Sequence, residues 1–386
     1  MEFQDIYEGL IEVKNYDIKG KLPDPFLMDN GSRVKSESDW LKRRDEIYKT
    51  AIELQFGTQP PKPEFLDVEL LYDGGFGGKR TYLITTGTYE NPISFQMQLF
   101  LPKKYGTYPV VVDGDMCFRY SNDKEYISAF CDNNIILALF NRVELAHDIW
   151  HETEKKGRIY KTYPEYTFGS IGAWAWGYSR CVDALEKIKC ADMSCIAFSG
   201  HSRGGKTAML AGALDQRAAI VNPNETCAGA CSCYRLNITA VTEDGEEKVS
   251  ESLEALLNNF KCWLGEGMKD YVGKEDELPF DSHFLKAMVA PRVLFVSEAA
   301  SDIWANPVGS WMTTKAAGEV YKFLGCEEKL LWYFRRGYHF HKPEDVLQLA
   351  NVINHFKNGE PLNDRYFKTP FKQPELIYDW RCPEKE

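Results

Sequence analysis

Ser199-Gly200-His201-Ser202-Arg203-Gly204-Gly205-Lys206 contains a G-x-S-x-G pattern. Residues 194–198 ahead of it are apolar and read as a buried strand. Residues 206–214 behind it (K-T-A-M-L-A-G-A-L) read as a helix. A strand, a tight Gly-flanked turn and a helix are what a nucleophile elbow requires. The turn strains the serine backbone, so the flanking positions must be small. The serine oxygen then projects over the sheet edge, and the helix N-terminus beneath it favours a developing anion. Ser202 is therefore the candidate nucleophile.

Outward from the elbow, strand signals fall at residues 66–72, 80–86, 94–101, 109–113 and 135–140. Residues 172–189 form a strong helical pattern before the elbow strand. After the elbow, strands are expected at 219–222, 292–297 and 329–334, and a closing helix at 343–357. Early antiparallel-looking strands followed by a parallel set predict an α/β-hydrolase fold. That is a three-layer αβα sandwich with a mostly parallel sheet. Residues 1–63 read as an N-terminal arm packed on the body, with a charged helix at about 38–55. Gln59-Pro60-Pro61-Lys62-Pro63 ends that helix. Residues 64–386 read as one catalytic domain, with an irregular polar insertion at 236–280 near the site.

A serine nucleophile needs a base and an orienting acid. The fold places the base in a loop after the last strand. His339 and His341, in Arg336-Gly337-Tyr338-His339-Phe340-His341, occupy that loop. His339 is preferred because it adjoins the Gly turn where strand becomes loop. His201 beside the serine reads as structural, since an elbow neighbour is expected to point away from the cleft. His355 reads as packing or surface. His147 and His151, flanked by Asp148 and Glu152, read as a solvated face. Two carboxylates follow strands and could be the acid: Asp302, in Ser301-Asp302-Ile303-Trp304, and Glu225, in Asn224-Glu225-Thr226. The residues alone favour Asp302, which stands at the usual acid position. Arg203 and Lys206 begin the elbow helix, where cations oppose its dipole. They make sense there if they face an anion or a developing oxyanion.

Hydrophobic content of 44% and charged content of 27% are ordinary for a soluble globular chain. A net charge of −11 without a basic run argues against nucleic acid and anionic membranes as partners. Met1-Glu2-Phe3-Gln4-Asp5 is acidic and shows no signal-peptide pattern. Eleven cysteines, an odd count, would risk mispairing outside a reducing compartment, so a cytoplasmic setting is expected. Cys227, Cys231 and Cys233 lack a second pair at zinc spacing. No metal and no cofactor are expected.

With its elbow read as G-H-S-R-G-G-K, the chain resembles the glucuronoyl esterases, carbohydrate esterase family 15, especially their bacterial branch. Leu22-Pro23-Asp24-Pro25-Phe26, Asp39-Trp40 and Arg43-Arg44 look like the family's arm. Gly172-Ala173-Trp174-Ala175-Trp176-Gly177 looks like its helix before the elbow. Leu278-Pro279-Phe280-Asp281-Ser282-His283 and Asp302-Ile303-Trp304-Ala305-Asn306-Pro307 look like its later core. The resemblance implies cleavage of esters on the carboxyl of glucuronate or 4-O-methyl-glucuronate through an acyl-enzyme. It implies Ser202 as nucleophile, His339 as base, and Glu225 as an acid placed unusually early, ranked ahead of Asp302. It further implies Arg203 at the oxyanion, Lys206 on sugar hydroxyls and Trp304 as an aromatic at the sugar site. Three departures stand out. The family is mostly secreted. A sugar-contacting glutamate of fungal members has no clear counterpart near residues 258–263. The loop after Glu225 is less Gly-rich here. A deacetylase of acetylated sugars, another small-ester hydrolase, or an inactive carbohydrate-binding relative are the competing readings. The expected partner is a small-molecule or oligosaccharide ester, and the sequence leaves the oligomeric state open.

Overall fold

A computed structural model describes residues 11–242 and 244–385; the acidic stretch Met1–Asp5 lies outside them. Nine strands form the main sheet: β2 (Phe65–Asp73), β3 (Lys79–Gly87), β4 (Pro92–Phe100), β5 (Tyr108–Asp113), β6 (Ile136–Phe140), β7 (Ala191–His201), β8 (Ala218–Asn224), β11 (Val293–Ala299) and β12 (Leu330–Arg335). Their order is β12-β11-β8-β7-β5-β6-β4-β3-β2. From β6 to β12 every pairing is parallel, and from β6 to β2 every pairing is antiparallel.

The strand sequences explain the layers. Val110 and Val112 of β5 join one apolar core, and Val111 joins another. Successive side chains point to opposite faces, so a strand covered on both sides reads as an unbroken apolar run. The helices Ser170–Leu185, Arg203–Leu214 and His283–Val289 cover the first face. Lys124–Cys131 and Pro343–Asn358 cover the second.

The arm is part of the core. Phe26, Trp40, Ile47 and Phe56 are fully or almost fully buried in the larger cluster. Ser36 caps the helix Glu37–Ile47 by accepting the Asp39 N–H, which continues as a π-turn through Tyr48–Glu53.

The expectation of irregular structure at 236–280 fails. β9 (Leu236–Val241) pairs with β1 (Glu12–Ile18) and β10 (Glu247–Val249) in a second antiparallel sheet. Leu236, Ile238 and Ala240 are buried there with Trp311 and Met312 of the helix Pro307–Leu324. The alternation Leu-x-Ile-x-Ala is a strand signal that the surrounding polar residues mask. A helix, Leu253–Asn259, follows, capped by Ser252.

Candidate active site

β7 runs into the elbow, and Ser202 sits there at φ 56° and ψ −117°, outside the ordinary regions for a side-chain-bearing residue. Neighbours over-determine this strain. The Ser202 N–H donates to the Asn224 carbonyl at 2.8 Å, and its own carbonyl accepts the Lys206 N–H at 2.9 Å. A Cβ on Gly200 would come 2.5 Å from the backbone of Gly204. One on Gly204 would strike the Asp115 carboxylate, which itself accepts the His201 N–H. These glycines let the helix Arg203–Leu214 start directly under the serine.

The loop after β12 delivers His339. Its Nε2 lies 2.9 Å from Ser202 Oγ, and its Nδ1 lies 2.6 Å from Asp302 Oδ2. This network assigns the proton to Nδ1 and leaves Nε2 free to accept from the serine. Asp302 stands in the turn after β11, where its Oδ1 also accepts the Ala305 N–H.

Glu225 follows β8 with φ 45° and is fully buried. Its Oε2 lies 3.6 Å from His339 Nδ1, too far for a hydrogen bond. Its Oε1 pairs instead with Arg335 at the end of β12. In this geometry the hydrogen bond to the base belongs to Asp302, while Glu225 stands close by, paired with Arg335. Arg335 also donates to both Asp345 oxygens at 2.9 Å and to the Tyr338 and Phe340 carbonyls. It therefore ties down the loop that carries His339. Burial, followed by the Asp302 charge, pushes the Glu225 carboxyl well above its usual range, against the pull of Arg335.

His201 does not point away from the cleft. Its ring lies 4.7 Å from that of His339 and stacks on His341 at 5.3 Å and 6°. His201 Nδ1 is 2.6 Å from Asn224 Oδ1. Burial and the two neighbouring histidines hold His201 well below the usual histidine range. It stays neutral and does not oppose a charged His339. His341 is half-buried and is not part of the Ser202–His339–Asp302 chain.

The two cations differ in setting. Arg203 donates to Asp148 at 3.1 Å and lies over the rings of Phe260 and Trp263, with centroids at 5.0 and 4.8 Å. Lys206 is 2% exposed; its Nζ donates to the Thr226 carbonyl and lies 3.5 Å from Glu251. Glu251 is a buried carboxylate that the sequence reading missed. It also accepts the Ala228 N–H, while its own N–H donates to the Trp304 carbonyl. Burial raises its carboxyl, and Lys206 opposes the rise. Trp304 is 41% exposed, so it is not a core tryptophan. Asp148, expected on a solvated face, has a side chain only 7% exposed. Arg142, buried beneath it, accounts for the difference.

Residues 84–325 match the family profile described as "Glucuronyl esterase, fungi". The chain is 32% identical over 312 residues to 4-O-methyl-glucuronoyl methylesterase 1 of Wolfiporia cocos, covering 80% of this chain and 73% of that one. The 4-O-methyl-glucuronoyl methylesterase of Cerrena unicolor is 31% identical over 364 residues, 92% of this chain and 73% of that protein. The chain belongs to the glucuronoyl esterase family. It is a carboxylic-ester hydrolase. A family 15 glucuronoyl esterase from Caldicellulosiruptor kristjansonii superposes with a TM-score of 0.83 at 26% identity, over 99% of this chain and 100% of that one. The glucuronoyl esterase catalytic domain from Hypocrea jecorina gives 0.77 at 25% identity, over 98% and 99%. The matched profile and the curated relatives are fungal, so the expected bacterial placement gains no support from them.

Among the described residues of this glucuronoyl esterase, one grouping brings potential metal-ligand atoms within 4.8 Å of one another: His201, Glu225 and His339. Those side chains are already engaged with Asn224, Arg335, Ser202 and Asp302. The Arg335 guanidinium beside Glu225 would also repel a cation. The grouping fits a hydrogen-bonded catalytic set rather than a metal centre.

Proposed function

We propose that this protein hydrolyses esters of glucuronate or 4-O-methyl-glucuronate through an acyl-enzyme on Ser202. The continuous chain Ser202–His339–Asp302, with links of 2.9 and 2.6 Å, carries the mechanism. His339 Nε2 takes the Ser202 proton as Oγ attacks the ester carbonyl carbon. Asp302 holds the Nδ1 proton and stabilises the imidazolium. The developing oxyanion meets the start of the elbow helix and the Arg203 side chain. Collapse breaks the bond to the alcohol oxygen, which receives the proton from His339. Water, activated by the same imidazole, then releases the glucuronate. The family resemblance puts Lys206 and the exposed Trp304 at the sugar, with Glu251 holding the lysine in place from its buried side; Glu225 supports the histidine loop as a secondary acid. The names of the curated relatives support the substrate class. Turnover of methyl glucuronate far above that of 4-nitrophenyl acetate is expected. The reverse preference would favour a general or deacetylating esterase.

A reducing, cytoplasmic setting is proposed separately, on the ground that all 11 cysteines are unpaired. Thiol counting on denatured, unreduced protein from the native host tests it. Two or more stable bridges there would overturn it.

A further inference from the structure

The Arg203 guanidinium carries five N–H donors in a fixed plane. A floppy arginine at an oxyanion loses much of its value, since ordering a long side chain on each turnover costs conformational entropy. Here the side chain is held from two directions. Phe260 and Trp263, stacked on each other at 3.7 Å and 7°, flank it, their ring centroids 5.0 and 4.8 Å from its Cζ. Asp148 Oδ1 accepts one Nη1–H at 3.1 Å. The same carboxylate is itself fixed: Oδ1 accepts the Trp263 Nε1–H at 3.3 Å, and Oδ2 lies 3.4 Å from Arg142 Nη2. Arg142 is fully buried between Phe118 and Trp174 and also pairs with Asp115, the carboxylate that receives the His201 N–H in the elbow. One buried arginine thus anchors both the elbow and the clamp on Arg203. Among the described residues, Asp148 is the one carboxylate bonded to Arg203.

We propose that Asp148 is a positioning residue: it presents the Arg203 guanidinium to the oxyanion while taking up a single N–H, so that the others stay available. The inference rests on the role assigned to Arg203 above. The test is a double-mutant cycle on methyl glucuronate with Asp148→Asn, Arg203→Ala and both together. Asparagine preserves shape and removes the charge. Asp148→Asn is expected to lower kcat about 10- to 100-fold with little change in KM, because the lost interaction forms in the transition state. In the Arg203→Ala background the same change is expected to add almost nothing. Additive losses, or a fall in Tm with kcat and KM both disturbed in either background, would make Asp148 merely structural. If Arg203→Ala leaves kcat intact, the oxyanion role of Arg203 fails, and this inference with it. If Arg203→Ala is crippled and Asp148→Asn is not, only this inference fails. Should Asp148→Asn not fold, Trp263→Phe removes one anchor of Asp148 and keeps the ring. A smaller fall in kcat, absent in the Arg203→Ala background, supports the clamp; an unchanged kcat overturns it.

Discussion

Within the elbow, the turn that carries Ser202 is shaped by residues a few positions apart, as in the approach of Gly200 to Gly204, and only then braced by Asn224 and Asp115. The wall beside it is assembled differently. Asp148 and Trp263, joined by a hydrogen bond, stand 115 positions apart, and Arg335 and Glu225 stand 110 apart. A strained turn admits few residue types, so it leaves a pattern in the chain. A long-range carboxylate clamp uses ordinary residues, and nothing local marks them out.

The largest expected effect lies where the two regions meet. Ser202→Ala and His339→Ala should each lower kcat by about 10⁴-fold or more, because members of a catalytic set act as a unit. His341→Gln should stay within about tenfold of the parent. Circular dichroism and Tm would show all three folded. A dead His341→Gln beside an active His339→Ala would move the base and break the comparison.

A smaller effect separates the two acids. Asp302→Asn should cost about 10²- to 10⁴-fold in kcat, since it disturbs the tautomer of the base. Glu225→Gln should cost about tenfold or less, because the hydrogen bond to His339 belongs to Asp302 and Arg335 keeps Asp345 as a partner. Steady-state kinetics on one glucuronate ester decides the order. A more damaging Glu225→Gln would return the main role to the position that the family resemblance favoured.

The smallest effect is on stability. Burial and the Arg335 charge push His341 down to about 3. That lies below the ordinary histidine value of about 6.5, so the unfolded chain takes up the proton first. Stability is then lost as pH falls from about 6.5 towards 3. In His341→Gln this contribution disappears, and the drop in Tm between about pH 7 and about pH 5 should shrink relative to the parent. An unchanged drop would show that other groups set the acid sensitivity.

Much of the fold was legible because its strands are buried on both faces and carry continuous apolar runs. The second sheet was not, since β9 hides a period of two among polar neighbours and pairs with β1 from the far end of the chain. In the site, Ser202, His339 and Asp302 were legible from their positions after strands. Glu251 was not: it is a lone glutamate in a polar stretch until the fold buries it beside Lys206.

By itself the sequence determined the elbow, the order of strands and helices, and the candidates for nucleophile, base and acid, because each follows from local sterics or short-range periodicity. Only the tertiary structure decided which acid meets His339, that His201 lies against the base and stacks on His341, and that Asp148 grips Arg203. Those outcomes depend on which loops converge at the C-terminal ends of parallel strands. They turn on differences of about one ångström, as between 2.6 Å for Asp302 and 3.6 Å for Glu225, which no local pattern encodes.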